Sequence, residues 1–126
     1  MRWAMWIIMK NKKNNTFSIE KVDGSILISI KGEMTFDGVD RIRSELDQFI
    51  SDQEFKSILV DLSNISFMDS TGIRFLVLIK QKMTMPDRPM YLLRPSSQVR
   101  KVLDLVQLLQ FFEIVEDWPL SGRVPS

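Results

Sequence analysis

SILVDLSNISFMDSTGIRFLVLI, residues 57–79, sets two apolar runs on either side of a polar joint. The first run, Ser57-Ile58-Leu59-Val60-Asp61-Leu62, is short and largely apolar, the composition of a strand buried on both faces. The second, Ile73 to Ile79, reads as part of a helix that begins near Ser70 and runs to about Met83. Pro86 ends it, because the residue before a proline disfavours helical backbone. Five apolar residues in a row, Phe75 to Ile79, mean a helix that is wedged deeply or turns one side to a partner. The joint between the runs is Phe67-Met68-Asp69-Ser70-Thr71-Gly72, a carboxylate, two hydroxyls and a glycine where a strand hands over to a helix.

The flanking sequence extends this strand–helix unit in both directions. Upstream, Thr16 to Val22 alternates apolar and polar, Asp23-Gly24 is a strong hairpin signal, and Ser25 to Lys31 is β-branched and stops at Gly32. A helix is predicted from Asp37 to Asp52, with Val39, Ile42, Leu46, Phe49 and Ile50 on one stripe and Arg41, Arg43, Glu45 and Asp47 on a solvated face. Downstream, Pro89 to Arg94 is a short strand closed by Pro95, and Ser96 or Ser97 caps a third helix. Val99, Val102, Leu103, Val106, Leu109 and Gln110 keep helical spacing there, and a last strand spans Glu113 to Glu116. There is no internal repeat. The order β-β-α-β-α-β-α-β predicts an α/β fold. It has a mixed sheet of about five strands, an initial antiparallel hairpin followed by parallel pairing, and three to four helices mainly on one face. Sites in such sheets lie beyond the carboxyl ends of the parallel strands, which is where residues 67–72 fall.

Composition narrows the function. The chain has 126 residues, 44% hydrophobic and 26% charged, in keeping with one globular domain. The expected organisation is a flexible N-terminal tail over 1–14, a domain over 15–118 and a C-terminal tail over 119–126. Residues 10–15 are polar and expected to be flexible. Seventeen basic and 16 acidic side chains leave a net charge of +1, so no strong field recruits nucleic acid or an anionic membrane. With no cysteine, disulfides, thiolate catalysis and cysteine zinc sites are excluded. With no histidine, the commonest general base and metal ligand is missing. No cofactor is expected, and no enzymatic activity. The apolar start, Met1 to Met9, is too short to span a bilayer, which takes about 20 residues, so no stable membrane insertion is expected. It reads as an over-long start with Met9 the natural initiator, as a short strand or disordered tail, or as a weak interfacial anchor through Trp3 and Trp6.

At the joint, two readings share the same physics. Ser70 suits an N-cap or first-turn position, where its hydroxyl takes an orphan backbone N–H, and Gly72 allows close approach of the backbone. Alternatively, Ser70 is a phosphoacceptor. A helix start tolerates an anion, so modification would leave the fold intact while adding nearly two negative charges to an exposed loop. Other chemistries fail here. The chain has no glycine-rich phosphate loop ending in Gly-Lys-Ser/Thr. Asp-Ser-Thr-Gly as an aspartic-protease loop needs an opposed second carboxylate and an all-β setting.

With these elements placed, residues 16–118 resemble the anti-sigma-factor antagonist family, the STAS-domain proteins. The most specific match is Val60-Asp61-Leu62-Ser63-Asn64-Ile65-Ser66-Phe67-Met68-Asp69-Ser70-Thr71-Gly72-Ile73, and Lys31-Gly32-Glu33-Met34 resembles the end of the family's second strand. The resemblance implies a cytoplasmic, non-enzymatic regulator of transcription by partner switching. Ser70 would be phosphorylated by an anti-sigma factor with serine-kinase activity. The unphosphorylated protein would hold that kinase, the phosphorylated protein would release it, and a phosphoserine phosphatase would reset the switch. Asp69, Thr71 and Gly72 would shape the switch loop, with Met34, Thr35 and Asp37 near the acceptor and touching the partner.

Two departures stand out. Many members carry Asp where this chain has Thr35, with Asp37 two residues on. Arg74 lies one helical turn after Ser70, where it reads as a solvated arginine, a neutraliser of a phosphate on Ser70, or a contact to an acidic patch of the partner. The competing functions are a STAS scaffold subunit of a transport or signalling complex without regulated phosphorylation, and a small-ligand carrier or enzyme using an apolar mouth near Met34, Phe36 and Phe67.

Overall fold

The computed structural model describes residues 6–11, 15–51, 53–83 and 88–118. The two runs of residues 57–79 become β4 (Ser57–Met68) and α2 (Ser70–Leu78), and the helix continues as a π-helical turn over Ile79–Met83. Ahead of them lie β1 (Trp6–Asn11), β2 (Asn15–Val22), β3 (Ser25–Met34) and α1 (Phe36–Ile50). After them come β5 (Met90–Leu93), α3 (Ser97–Leu105), a short 3-10 turn over Leu109–Phe111 and β6 (Glu113–Val115). Asp23 and Gly24 both have positive φ, 51° and 87°, the primed turn whose twist matches a hairpin, so β2 and β3 pair antiparallel as expected.

The strands follow one another across the sheet in the order β1-β2-β3-β4-β5-β6. β1–β2 and β2–β3 are antiparallel, while β3–β4, β4–β5 and β5–β6 are parallel. This is the expected α/β mixed sheet with one strand more. The added strand revises the reading of residues 1–14 as a flexible tail, because Trp6–Asn11 pairs with β2 from Trp6 opposite Glu20 to Asn11 opposite Asn15. Without it β2 would present a row of unpaired N–H and C=O groups, and apolar, β-branched residues are good strand formers. Residues 1–5 and 12–14, and the C-terminal tail after 118, lie outside the described residues. Asn15 is also no part of a flexible stretch. It is 4% exposed, and its amide donates to the Glu33 carbonyl at 2.7 Å.

One large core lies on the helix-bearing face. Ile26, Ile28 and Ile30 of β3 and Ile58, Val60 and Leu62 of β4 meet the stripe Val39, Ile42, Leu46 and Phe49 of α1. Phe75 and Leu76 of α2 and Val99 and Leu103 of α3 complete it. The intervening strand residues point the other way and form a small second cluster, Val22, Leu59, Tyr91 and Leu93, packed with Trp118.

Two elements differ in length from expectation. β4 runs on past Leu62 to Met68, pairing Phe67 with Glu33 and Met68 with Met34 through two register irregularities, one beside Gly32 at φ 104°. Hydroxyl and amide side chains on an outer face do not stop a strand that has a partner to bond. α3 stops at Leu105 rather than near Gln110. Gln107 turns left-handed at φ 61°, its N–H donates to Asp104 O at 3.0 Å, and Leu108 N–H donates to Leu103 O at 2.8 Å. Those two bonds are the Schellman closure of a helix.

Candidate functional site

The site is built where β3 and β4 end side by side. β4 delivers Met68 beside Met34, and the chain leaves the sheet at Asp69, whose N–H donates to Met34 O at 3.3 Å. Asp69 is extended, with φ −105° and ψ −171°, and its carboxylate accepts from the N–H groups of Thr71 at 2.9 Å and Gly72 at 3.3 Å. Asp69 is therefore the N-cap, which corrects the reading of Ser70 as a possible cap. Ser70 is the first helical residue, its side chain exposed and hydrogen-bonded to no described residue. Two consecutive hydroxyls obscured the assignment. The carboxylate one residue earlier accepts two N–H bonds at once, which a hydroxyl at position 70 would have to match.

Gly72 is buried because the first turn of α2 lies directly on the end of β3. A Cβ at this position would stand 2.7 Å from Met68 Cγ and 2.9 Å from Met34 O. Met34 is fully buried beneath the turn, so it supports the loop from below. This also removes the apolar mouth expected from Met34, Phe36 and Phe67: the two phenylalanines are 70% and 45% exposed, while the methionine is sealed in the core. Thr35 is half-buried and precedes α1 in extended conformation without a side-chain cap bond, while its carbonyl accepts from Val39 N–H at 2.9 Å. The side chain of Asp37 lies outside the described residues.

Between α1 and α2 runs an open groove of about 630 Å³. Ser70, Thr71 and Arg74 form one wall, and Phe36, Asp40 and Arg43 the other. Sequence reading missed the second wall. Arg43 and Asp47, which also lines the groove, were expected on a purely solvated face of α1, since nothing in a single helix tells which flank its neighbour leaves open. Arg43 is engaged within its own helix, 3.1 Å from Asp40 and 4.0 Å from Asp47. Arg74 is exposed and makes no ion pair with a described residue. The groove thus carries Asp40 and Asp47 against Arg43 and Arg74, a balanced set that one added phosphate would tip to negative.

Among the described residues, no group of three or more acidic, histidine or cysteine side chains is arranged to hold a metal ion. No helix among them is long and apolar enough to cross a membrane.

Comparison with known proteins agrees with this geometry. The family model of the STAS domain matches residues 16–119. An anti-sigma F factor antagonist of Paenibacillus polymyxa is 25% identical over 108 residues, covering 82% of this chain and 89% of its own. The crystal structure of an anti-sigma factor antagonist from Mycobacterium paratuberculosis superposes with a TM-score of 0.74 at 18% identity, over 87% of this chain and 92% of that one. The anti-sigma factor antagonist SpoIIAA in its unphosphorylated form gives 0.62 at 21% identity, over 96% of this chain and 100% of that one. The phosphorylated form, from Bacillus, gives 0.59 at 20%, with the same coverage of 96% and 100%. At these identities the solved structures speak for the fold.

Proposed function

The chain belongs to the STAS domain family, and from that premise we propose that it is an anti-sigma-factor antagonist, a cytoplasmic protein-binding module switched by phosphorylation of Ser70. The observation that supports this most directly is the division of labour at the joint. Asp69 caps the helix, so the Ser70 hydroxyl stands exposed at the helix start with no structural duty among the described residues.

The switch works as follows. Unphosphorylated protein docks the cap and first turn of α2, Asp69 to Arg74, together with Thr35, Phe36 and Asp37, onto an anti-sigma factor that is also a serine kinase. The sigma factor is thereby released. The kinase transfers the γ-phosphoryl group of ATP to Ser70 Oγ: the Oγ–P bond forms, the bond to the β-phosphate oxygen breaks, ADP leaves, and the hydroxyl proton passes to the kinase's base. The product carries about two further negative charges at the centre of the contact. Asp69 already takes the Thr71 and Gly72 N–H groups, but the dipole at the start of α2 still favours an anion there, so the scaffold holds while like charge and desolvation expel the partner. A phosphoserine phosphatase restores the binding form. Many members carry Asp where this chain has Thr35; Asp37, two residues on in the first turn of α1, is the acidic residue proposed to take that part toward the kinase.

The test is incubation with a purified serine-kinase anti-sigma factor from the same genome and ATP, followed by mass spectrometry. One phosphate, on Ser70, is expected. Labelling elsewhere, or none with a kinase that demonstrably binds, overturns the assignment and leaves the chain as a STAS scaffold subunit of a larger complex.

A further inference from the structure

We propose that Arg74 is an intramolecular latch for the phosphorylated switch, closing on the phosphate of Ser70 across one turn of α2; the proposal rests on the reading of Ser70 as phosphoacceptor. Three features of the groove carry it. Ser70 and Arg74 line the same wall, one turn apart on one helix, and both are exposed. Side chains on a helix lean back toward its N-terminus, so Arg74 overhangs the turn that starts at Ser70. An anion four residues before a cation is also the favourable order along a helix.

The second feature is availability. Arg43, the other cation lining the groove, is held by Asp40 and Asp47 of its own helix. Arg74 has no carboxylate partner among the described residues, and its fork of N–H donors suits bidentate capture of phosphate oxygens. The third is the surrounding charge. The groups facing a phosphate here are Asp69 at the cap, Asp40 and Asp47 across the groove, and Arg43 beyond them. Asp69 directs its carboxylate inward to the N–H groups of Thr71 and Gly72, which leaves the outer side of the first turn to Arg74.

The latch changes what phosphorylation does. It adds negative charge, and it also withdraws from the partner the one guanidinium of the groove that is not already paired within the described residues. A partner that meets Arg74 with a carboxylate loses that contact at the same moment.

The experiment needs no kinase. Phosphoserine is placed at position 70 by co-translational incorporation, and its second ionisation is followed by ³¹P NMR in the parent, Arg74→Gln, Arg74→Lys, Arg43→Gln and Arg41→Gln proteins. The parent is expected to titrate below the ordinary value of about 6. Arg74→Gln raises the midpoint by about half a unit, Arg74→Lys keeps most of the depression, and Arg43→Gln and Arg41→Gln shift it little. Equal midpoints in parent and Arg74→Gln, or a rise in Arg43→Gln instead, overturn the latch. Because the phosphate is installed independently, a failed kinase reaction leaves this result readable, and a failed latch leaves the phosphoacceptor assignment untouched.

Discussion

Asp69 and Ser70 separate two tasks that a single hydroxyl would have to share, and the separation makes each testable. Asp69 satisfies two N–H groups at the start of α2. Its replacement in Asp69→Ala should cost about 1 kcal/mol, read as a lower urea midpoint with unchanged slope, and Asp69→Asn should keep most of that stability. Ser70 bonds to nothing described, so Ser70→Ala should alter stability by less than about 0.5 kcal/mol and hold the kinase constitutively in a pull-down. Ser70→Asp should also fold, because a helix start accepts an anion, yet bind weakly; a protein unfolded by that change would place the hydroxyl inside the core. Gly72 has no such tolerance. Its missing Cβ is occupied by Met68 Cγ and the Met34 carbonyl, and that carbonyl is fixed by the Asp69 N–H. Gly72→Ala should cost about 1–3 kcal/mol, measurable by thermal or urea unfolding.

Elements divide into those whose pattern is local and those whose ends are decided by neighbours. The stripe of α1 and the alternation of β2 were legible because a period of 3.6 or 2 is written in the residues themselves. The strand-to-helix joint was legible as a place, since apolar runs of different length flank a capping residue. The far half of β4 was not, because Ser63 to Ser66 look like a turn and become strand only by pairing with β3. β1 was one of several open readings, its pairing being a matter of which edge needs covering. The groove was invisible for a similar reason: Arg43 faces Ser70's helix only once α1 and α2 cross the same sheet. The end of α3 tests how far backbone conformation overrides apolar spacing. Val106 and Gln110 continue the helical rhythm, but Gln107 sits at φ 61°, a conformation that costs a side-chain-bearing residue about 1–2 kcal/mol and glycine almost nothing. Gln107→Gly, offset in part by the extra freedom glycine brings to the unfolded chain, should raise stability by about 0.5–1 kcal/mol; a lower urea midpoint would show that the Gln107 side chain contributes more than its strain removes.

At the scale of the whole molecule, the sheet separates a helix-covered face that carries the switch from a barer face closed by Tyr91, Leu59, Leu93 and Trp118. The two faces differ in how they answer to pH. With no histidine and no cysteine in the chain, no side chain of ordinary pKa titrates between about pH 6 and 8, so stability should be flat across that window. The alkaline limb is different. Tyr91, the only tyrosine, is 2% exposed, and its phenol is pushed above the usual value first by burial and then by the carboxylate of Glu113, its register partner on β6. The folded protein therefore keeps this proton at a pH where the unfolded chain has already released it. The sign follows from proton counts: below about pH 10 both states hold the proton and the full stability is present, while above it the unfolded state binds fewer protons and stability declines toward the folded pKa. Lysines titrate nearby, so the contribution of Tyr91 is isolated by comparison. Urea midpoints measured from pH 8 to 11.5 should fall less steeply above pH 10 in Tyr91→Phe than in the parent, whatever uniform offset the lost hydroxyl introduces. Since this chain has one phenol, its absorbance near 295 nm reports the same event directly, and phenolate forming at an ordinary midpoint in the folded protein would mean that the barer face of the sheet admits water.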